Sequence, residues 1–151
     1  MPQSRTNTQV EPALKLDNQL CFALYSASLA MTKLYKPLLA ALGLTYPQYL
    51  VMLVLWEQDE VGVSQLGERL YLDSGTLTPL LKRLEGADLL QRTRSQQDER
   101  RVLVALTPAG RRLKARALAV PACMVDATAC PVPELLTLKR QVQSLRARLL
   151  R

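Results

Sequence analysis

The stretch "DSGTLTPLLKRLEGADLLQRTRSQQDERRVLVALTPAG", residues 73–110, changes character twice along its length. Its first half predicts a helix begun by Asp73 or Ser74, whose short polar side chains can accept from the free N–H groups of a first turn. Gly86 marks where that helix closes. The second half holds "LLQRTRS" and "RRVLVAL", two segments rich in arginine and β-branched residues, separated by "QQDE". They predict a hairpin with a polar, charged tip. Thr107 as cap and Pro108 at the first helical position then restart a helix. Just upstream, "VSQLGERLYL" predicts a short helix with Ser64 as its cap. Two short helices joined by a tight turn, followed by a basic hairpin, are the parts of a winged helix-turn-helix.

In such a pair the second helix enters the major groove of double-stranded DNA, and its N-terminal residues meet base edges. Those residues here are Ser74, Gly75, Thr76 and Thr78, small hydrogen-bonding groups that permit close approach. Lys82 and Arg83, a turn later, are placed to hold phosphates. Arg92, Arg94, Arg100 and Arg101 on the hairpin are placed for phosphates or a minor groove. Each element alone also fits a solvated charged helix or turn; their order on a basic chain favours DNA. Pro79 conflicts locally, because it removes an N–H inside the helix and bends it. Gly75, four residues earlier, relieves the crowding.

Outward from this centre, Leu20, Leu24, Ala27, Met31, Leu34 and Leu38 step by four and three, which predicts a buried stripe on a long helix. Asp17 is its expected N-cap, Pro37 is tolerated only near its end, and Gly43 is the stop. "TYPQYLVMLVLWEQ" predicts a second helix, with Thr45 as cap and Pro47 in the first turn. After the hairpin and the helix beginning at Pro108, the prolines Pro121, Pro131 and Pro133 predict a break. "ELLTLKRQVQSLRARLLR" forms a last helix with Leu135, Leu138, Val142, Leu145 and Leu149 on one face. The expected fold is mainly α with a small β-hairpin wing, in the order of four helices, hairpin, two helices.

Composition narrows the function. The 151 residues suit one domain with a single core. A net charge of +7 and a pI near 9.7 point toward a polyanion such as nucleic acid. There is no histidine. That excludes His-based triads, Cys–His nucleophiles and His-ligated metals, so no metal or cofactor is expected. No apolar run is long enough for a membrane span, and the polar start lacks a secretory h-region. The expectation is a cytoplasmic protein with residues 1–15 as a flexible N-terminal tail. Three scattered cysteines do not make a disulfide scaffold.

Beside the leucine stripe runs a second ridge of Cys21, Tyr25, Ser28, Thr32 and Tyr35. The spacing alone favours a filler cysteine at a subunit boundary over a reactive thiol. Cys21 and Tyr35 lie about 21 Å apart along a straight helix at ~1.5 Å per residue, so they cannot touch within one chain. They could touch between two helices crossing antiparallel.

"DERRVLVALTPAG" resembles the wing signature of the MarR family of transcription regulators, with Asp98-x-Arg100, Leu106-Thr107 and Gly110. The resemblance spans residues 16–151. It implies a wing braced by an Asp98–Arg100 ion pair and an arginine reaching the minor groove. It also implies a homodimer, with residues 16–43 and 111–151 as the helical dimerisation region and 44–110 as the DNA-binding region. The leucine stripes at both ends agree with that.

"LCFALYSASLAMTKLYKPLLAALGLTYPQYLVMLVLWE" is further similar to the organic-hydroperoxide-sensing OhrR branch: a cysteine, then tyrosines at 25, 35 and 46. The resemblance implies that Cys21 is the redox sensor and that Tyr35 and Tyr46 of the partner subunit hydrogen-bond its sulfur. Tyr25 is a possible member of the pocket. The chemistry suits these residue types. A thiolate attacks an organic hydroperoxide and becomes a sulfenic acid. A helix N-terminus and phenol donors favour the anion.

The branch divides into one-cysteine and two-cysteine types. "VPACMVDATACPVPEL" resembles the two-cysteine type but carries Asp126 at the expected resolving position, by natural divergence or by substitution. Cys123 and Cys130 are the possible alternative thiols; small filler at a helix junction is the other reading of both. The leading expectation is thus a repressor that senses organic hydroperoxides at Cys21 and releases its operator DNA. The alternatives are a MarR-type repressor answering a small aromatic ligand, and a thiol peroxidase, an enzyme reading that the absence of a thioredoxin-like pattern disfavours.

Overall fold

The computed structural model describes residues 11–151. Five residues into the described part, a single 3-10 turn, Leu16–Asn18, precedes the first long helix. The elements that follow are α1 (Leu20–Ala40), α2 (Tyr46–Glu57), β1 (Val61–Gly62), α3 (Val63–Leu70), α4 (Ser74–Gly86), β2 (Leu90–Arg94), β3 (Val102–Leu106), α5 (Pro108–Ala117), α6 (Val120–Thr128) and α7 (Val132–Leu149). The strands form an antiparallel sheet in the order β1-β3-β2, with Val61 and Arg92 both opposite Val104. Mainly helical architecture, a helix-turn-helix in α3–α4 and a hairpin wing in β2–β3 are as the sequence predicted.

The local signals explain most boundaries. Thr45 accepts from the Gln48 N–H while the Gln48 side chain accepts from the Thr45 N–H, a reciprocal cap that fixes the start of α2. Asp73 accepts from Thr76 at 2.8 Å and starts α4. Thr107 caps α5 through the Gly110 N–H at 3.0 Å, with Pro108 in the first turn.

Four boundaries differ from expectation. Asp17 lies in the 3-10 turn and caps nothing; α1 starts after Gln19, whose amide instead donates to Ala13 and Lys15 carbonyls. Ser64 is inside α3, because β1 runs directly into that helix and the Gln65 side chain accepts from the Gly62 N–H. Val61–Gly62 adds a strand that two residues could not announce by alternation. The expected break after Pro121 is a helix: Pro121 occupies the first turn of α6, where its missing N–H costs nothing. In the expected tail, residues 1–10 lie outside the described residues. Residues 11–14 make a helical turn, bonded to Asn18 and Gln19.

The core sits beneath the helix-turn-helix and the hairpin. Leu39, Met52, Leu55, Leu66, Leu77, Leu81, Leu84, Leu90 and Val104 are fully buried in one cluster. The α1 stripe departs from expectation. Leu20, Leu24, Ala27, Met31 and Leu34 are exposed, Leu38 is half-buried, and Leu39 is the buried residue of this helix. Helix α6 packs against α1 and, with α7, leaves a cavity beside Met31, but most of the stripe stays open in the single chain. Helix α7 likewise buries none of its residues in the single chain.

Candidate functional site

Two surfaces carry the chemistry. The first is the outer face of α4 and the wing. Ser74, Gly75 and Thr76 are exposed at the start of α4, Thr78 is half-buried, and Lys82 and Arg83 are exposed further along. The Asp73 carboxylate, bonded by the Thr76 and Gly75 N–H groups, is held below its ordinary pKa. It therefore stays an acceptor and keeps this helix start in shape. Pro79 sits inside α4 without breaking it.

The wing turns at residues 95–101. Ser95 accepts from the Gln97 and Asp98 N–H groups, and the Arg101 N–H donates to the Asp98 carbonyl at 2.9 Å. Asp98 accepts from the Arg100 N–H at 3.1 Å and pairs with the Arg100 guanidinium at 3.4 Å. Arg100 still points outward, with 93% of its side chain exposed. Arg94 donates to the Glu99 carbonyl at 3.2 Å, and Arg101 lies against Gly62.

Arg92 stands apart from the other wing arginines. Its backbone N–H and its Nε both donate to Glu85 Oε2, at 2.9 and 3.2 Å. These bonds lower the Glu85 pKa and clasp the wing to the recognition helix. Sequence reasoning missed Glu85, because nothing in its spacing from Arg92 announces a cross-element pair.

The second surface is built from tyrosines. The ring centroids of Tyr35 and Tyr46 are 4.8 Å apart, and Tyr49 stands 5.9 and 6.3 Å from them. Tyr49 is buried and leads inward to Trp56 at 6.4 Å. Burial pushes the phenols of Tyr35, Tyr46 and Tyr49 above their ordinary pKa, helped at Tyr35 and Tyr49 by the neighbouring phenols. All three remain protonated at neutral pH and can donate hydrogen bonds. Tyr35 and Tyr46 line an apolar cavity of about 370 Å³, with Leu39, Leu44 and Pro47 as walls and Lys33 and Lys36 at its edge. Tyr49 was not singled out from the sequence, although "YPQY" places it one helical turn after Tyr46.

Cys21 is not in that cavity. It occupies the second position of α1, exposed, at the opposite end of the helix from Tyr35. Tyr25 is exposed beside it. Cys123 lies in α6, and Cys130 just after the left-handed Ala129 that ends it; both are exposed free thiols. Asp126 is exposed between them.

A three-stranded wing packed on a helix-turn-helix, with cations along its outer edge, defines a winged-helix DNA-binding transcription regulator. Residues 33–117 match the family model described as transcriptional regulator SarA/Rot. A Bacillus subtilis protein, the organic hydroperoxide resistance transcriptional regulator, is 50% identical over 87% of this chain and 90% of its own. Reduced AbfR bound to DNA superposes with a TM-score of 0.76 and 33% identity, covering 94% of this chain and 99% of that one. The disulfide form of AbfR superposes at 0.62 with 34% identity over 91% and 96%. This chain belongs to the MarR family of transcription regulators, in its OhrR branch. Among the described residues, no single helix is long and apolar enough to cross a membrane.

Proposed function

We propose that the chain is a homodimeric repressor that senses organic hydroperoxides through Cys21 and releases its operator when that thiol is oxidised. The observation that supports this reading is the Tyr35–Tyr46 pair, which lines an apolar cavity with no cysteine of its own chain among its walls. Cys21 lies at the far end of the same rod. A second copy crossing antiparallel supplies the thiol to each cavity and covers the exposed leucines of α1 and α7. Likeness to reduced, DNA-bound AbfR, at a higher TM-score than to its disulfide form, supports a DNA-competent conformation.

The chemistry balances simply. The Cys21 thiolate attacks the terminal oxygen of the hydroperoxide, an S–O bond forms as the O–O bond breaks, the sulfur becomes a sulfenic acid, and the departing alkoxide takes a proton from solvent to leave as the alcohol. The phenols of the partner's Tyr35 and Tyr46 hold the thiolate before the reaction, and an oxidised sulfur no longer fits their donors. Asp126 cannot close a disulfide, so Cys123 and Cys130 are the thiols left on that segment to meet the sulfenic acid. Ser74, Gly75, Thr76 and Thr78 read base edges, while Lys82, Arg83, Arg94, Arg100 and Arg101 hold phosphates or reach the minor groove. Arg92 contributes to the same surface through its hold on Glu85.

The test is DNA binding by fluorescence anisotropy with and without an alkyl hydroperoxide. The parent is expected to leave DNA on treatment and Cys21→Ser to stay bound. Release of Cys21→Ser by the peroxide would show that the thiol is not the sensor.

A further inference from the structure

We propose that Arg146 and Tyr71 form a positioning strut, through which the C-terminal helix holds the recognition helix in the orientation that binds DNA. The Arg146 guanidinium lies over the Tyr71 ring, 4.4 Å from its centroid. Such a placement is attractive because the ring face carries negative charge density. The inference uses the DNA-binding role of the fold and is independent of the peroxide chemistry.

Tyr71 is an unusual residue where it stands. It links α3 to α4 with φ 58°, in the left-handed region where a side chain other than glycine is disfavoured. Its side chain is not repaid by burial, since Tyr71 is 57% exposed. What the ring does contact is Arg146, from the last turn of α7.

The turn transmits force because it is stiff. The Tyr71 N–H donates to the Glu68 carbonyl and the Leu72 N–H to that of Gly67. A β-carbon on Gly67 would lie 2.9 Å from the Leu72 oxygen, so helix and turn are already in close contact. Asp73, the cap of α4, follows two residues after Tyr71. A displacement of the Tyr71 ring therefore passes to the base-reading end of α4. At its other end the strut reaches the tyrosine-bearing helix. Arg146 shares the wall of a cavity of about 550 Å³ with Tyr35, Met31 and Val142.

The experiment measures affinity of the reduced protein for a duplex selected in vitro for binding to the parent, over a range of salt. Tyr71→Leu and Arg146→Met are each expected to weaken binding about 3-fold, the effect of one partly exposed cation–π contact. The double variant is expected to be no weaker than either single one, and Tyr71→Phe to bind as the parent does. The slope of log affinity against log salt stays unchanged throughout. If Arg146 instead contacted a phosphate, Arg146→Met would reduce that slope by about 1. Such a fall, losses that multiply in the double variant, a Tyr71→Phe as weak as Tyr71→Leu, or singles that bind normally would each overturn the strut. A parent that bound no duplex would overturn the strut and the regulator reading together. Circular dichroism of each variant checks that it is folded, and Tyr71→Phe controls for the ring's shape.

Discussion

Gly110→Ala places one methyl group where the wing meets the body of the protein. Its β-carbon would lie 2.1 Å from the Leu89 carbonyl oxygen and 3.2 Å from Leu106 Cδ2. The first of these is backbone, so a rotamer change cannot relieve it. The loop at Leu89 must move, and that loop is tied down: the Leu89 oxygen accepts from the Thr107 N–H at 3.1 Å, and Thr107 Oγ1 donates to Asp88 at 2.6 Å. Gly110 itself accepts from the Trp56 indole at 2.9 Å. Overpacking of this kind costs about 1–3 kcal/mol, and each strained hydrogen bond adds about 1 kcal/mol. A total of about 3–4 kcal/mol removes a large part of the ~5–15 kcal/mol that holds a typical domain. Urea denaturation at fixed protein concentration reads this through Trp56, the sole tryptophan in the chain. The midpoint is expected to fall by about 1.5–2 M for a slope of ~2 kcal/mol per molar. Trp56 emission of the folded variant should shift as well, because its indole partner moves. An unchanged midpoint with unchanged emission would refute the reasoning.

Two further outcomes follow from the recognition helix. Glu85→Ala breaks the clasp to Arg92 and is expected to cost about 0.5–1 kcal/mol at neutral pH, discounted for a carboxylate that is more than one-third exposed. Because the folded pKa of Glu85 is depressed, its contribution is present above the unfolded carboxylate pKa of about 4.3 and is lost as pH falls through the folded value. Urea midpoints of parent and variant should therefore converge in acid, and a gap that persists there would count against the clasp. Lys82→Ala removes an exposed cation from the outer face of α4 and should lower the salt slope of DNA binding by about 1. An unchanged slope would place Lys82 off the phosphates.

The DNA-reading part was legible because its signals are local. Thr45, Asp73 and Thr107 cap helices through bonds spanning three residues, and residues 90–106 pair as one hairpin. What escaped the sequence depends on contacts across the chain. β1 exists because Val61 pairs with Val104, 43 positions away, and two residues show no period. The Glu85–Arg92 clasp and the tilted packing of Tyr49 against Tyr35 join separate elements in the same way. The α6 helix was missed for a different reason: a proline that ends one helix can equally begin the next, and composition does not separate the two. On α1 the period of the stripe was right but burial did not follow, because periodicity identifies an apolar face and not what covers it.

That uncovered face ties the proposed sensor to the proposed assembly. α1 is one 21-residue helix with Cys21 near its start and Tyr35 fourteen positions on. A continuous helix resists bending, so the thiol and the phenols of one chain stay about 21 Å apart at ~1.5 Å per residue. The leucines between them, Leu24, Leu29 and Leu34, are 36–51% exposed in the single chain, and burying the remainder of each is worth about 0.5–1.5 kcal/mol. An antiparallel copy gains that burial and, by the same crossing, brings each thiol to the other chain's tyrosines. In the proposed dimer, sensor and interface are one surface, so adding an oxygen to Cys21 would disturb the contact between subunits. Because Leu39, in the last turn of α1, is buried in the core beneath the winged helix, the proposed interface would pass a shift to the DNA-binding heads without requiring any of their own residues to react.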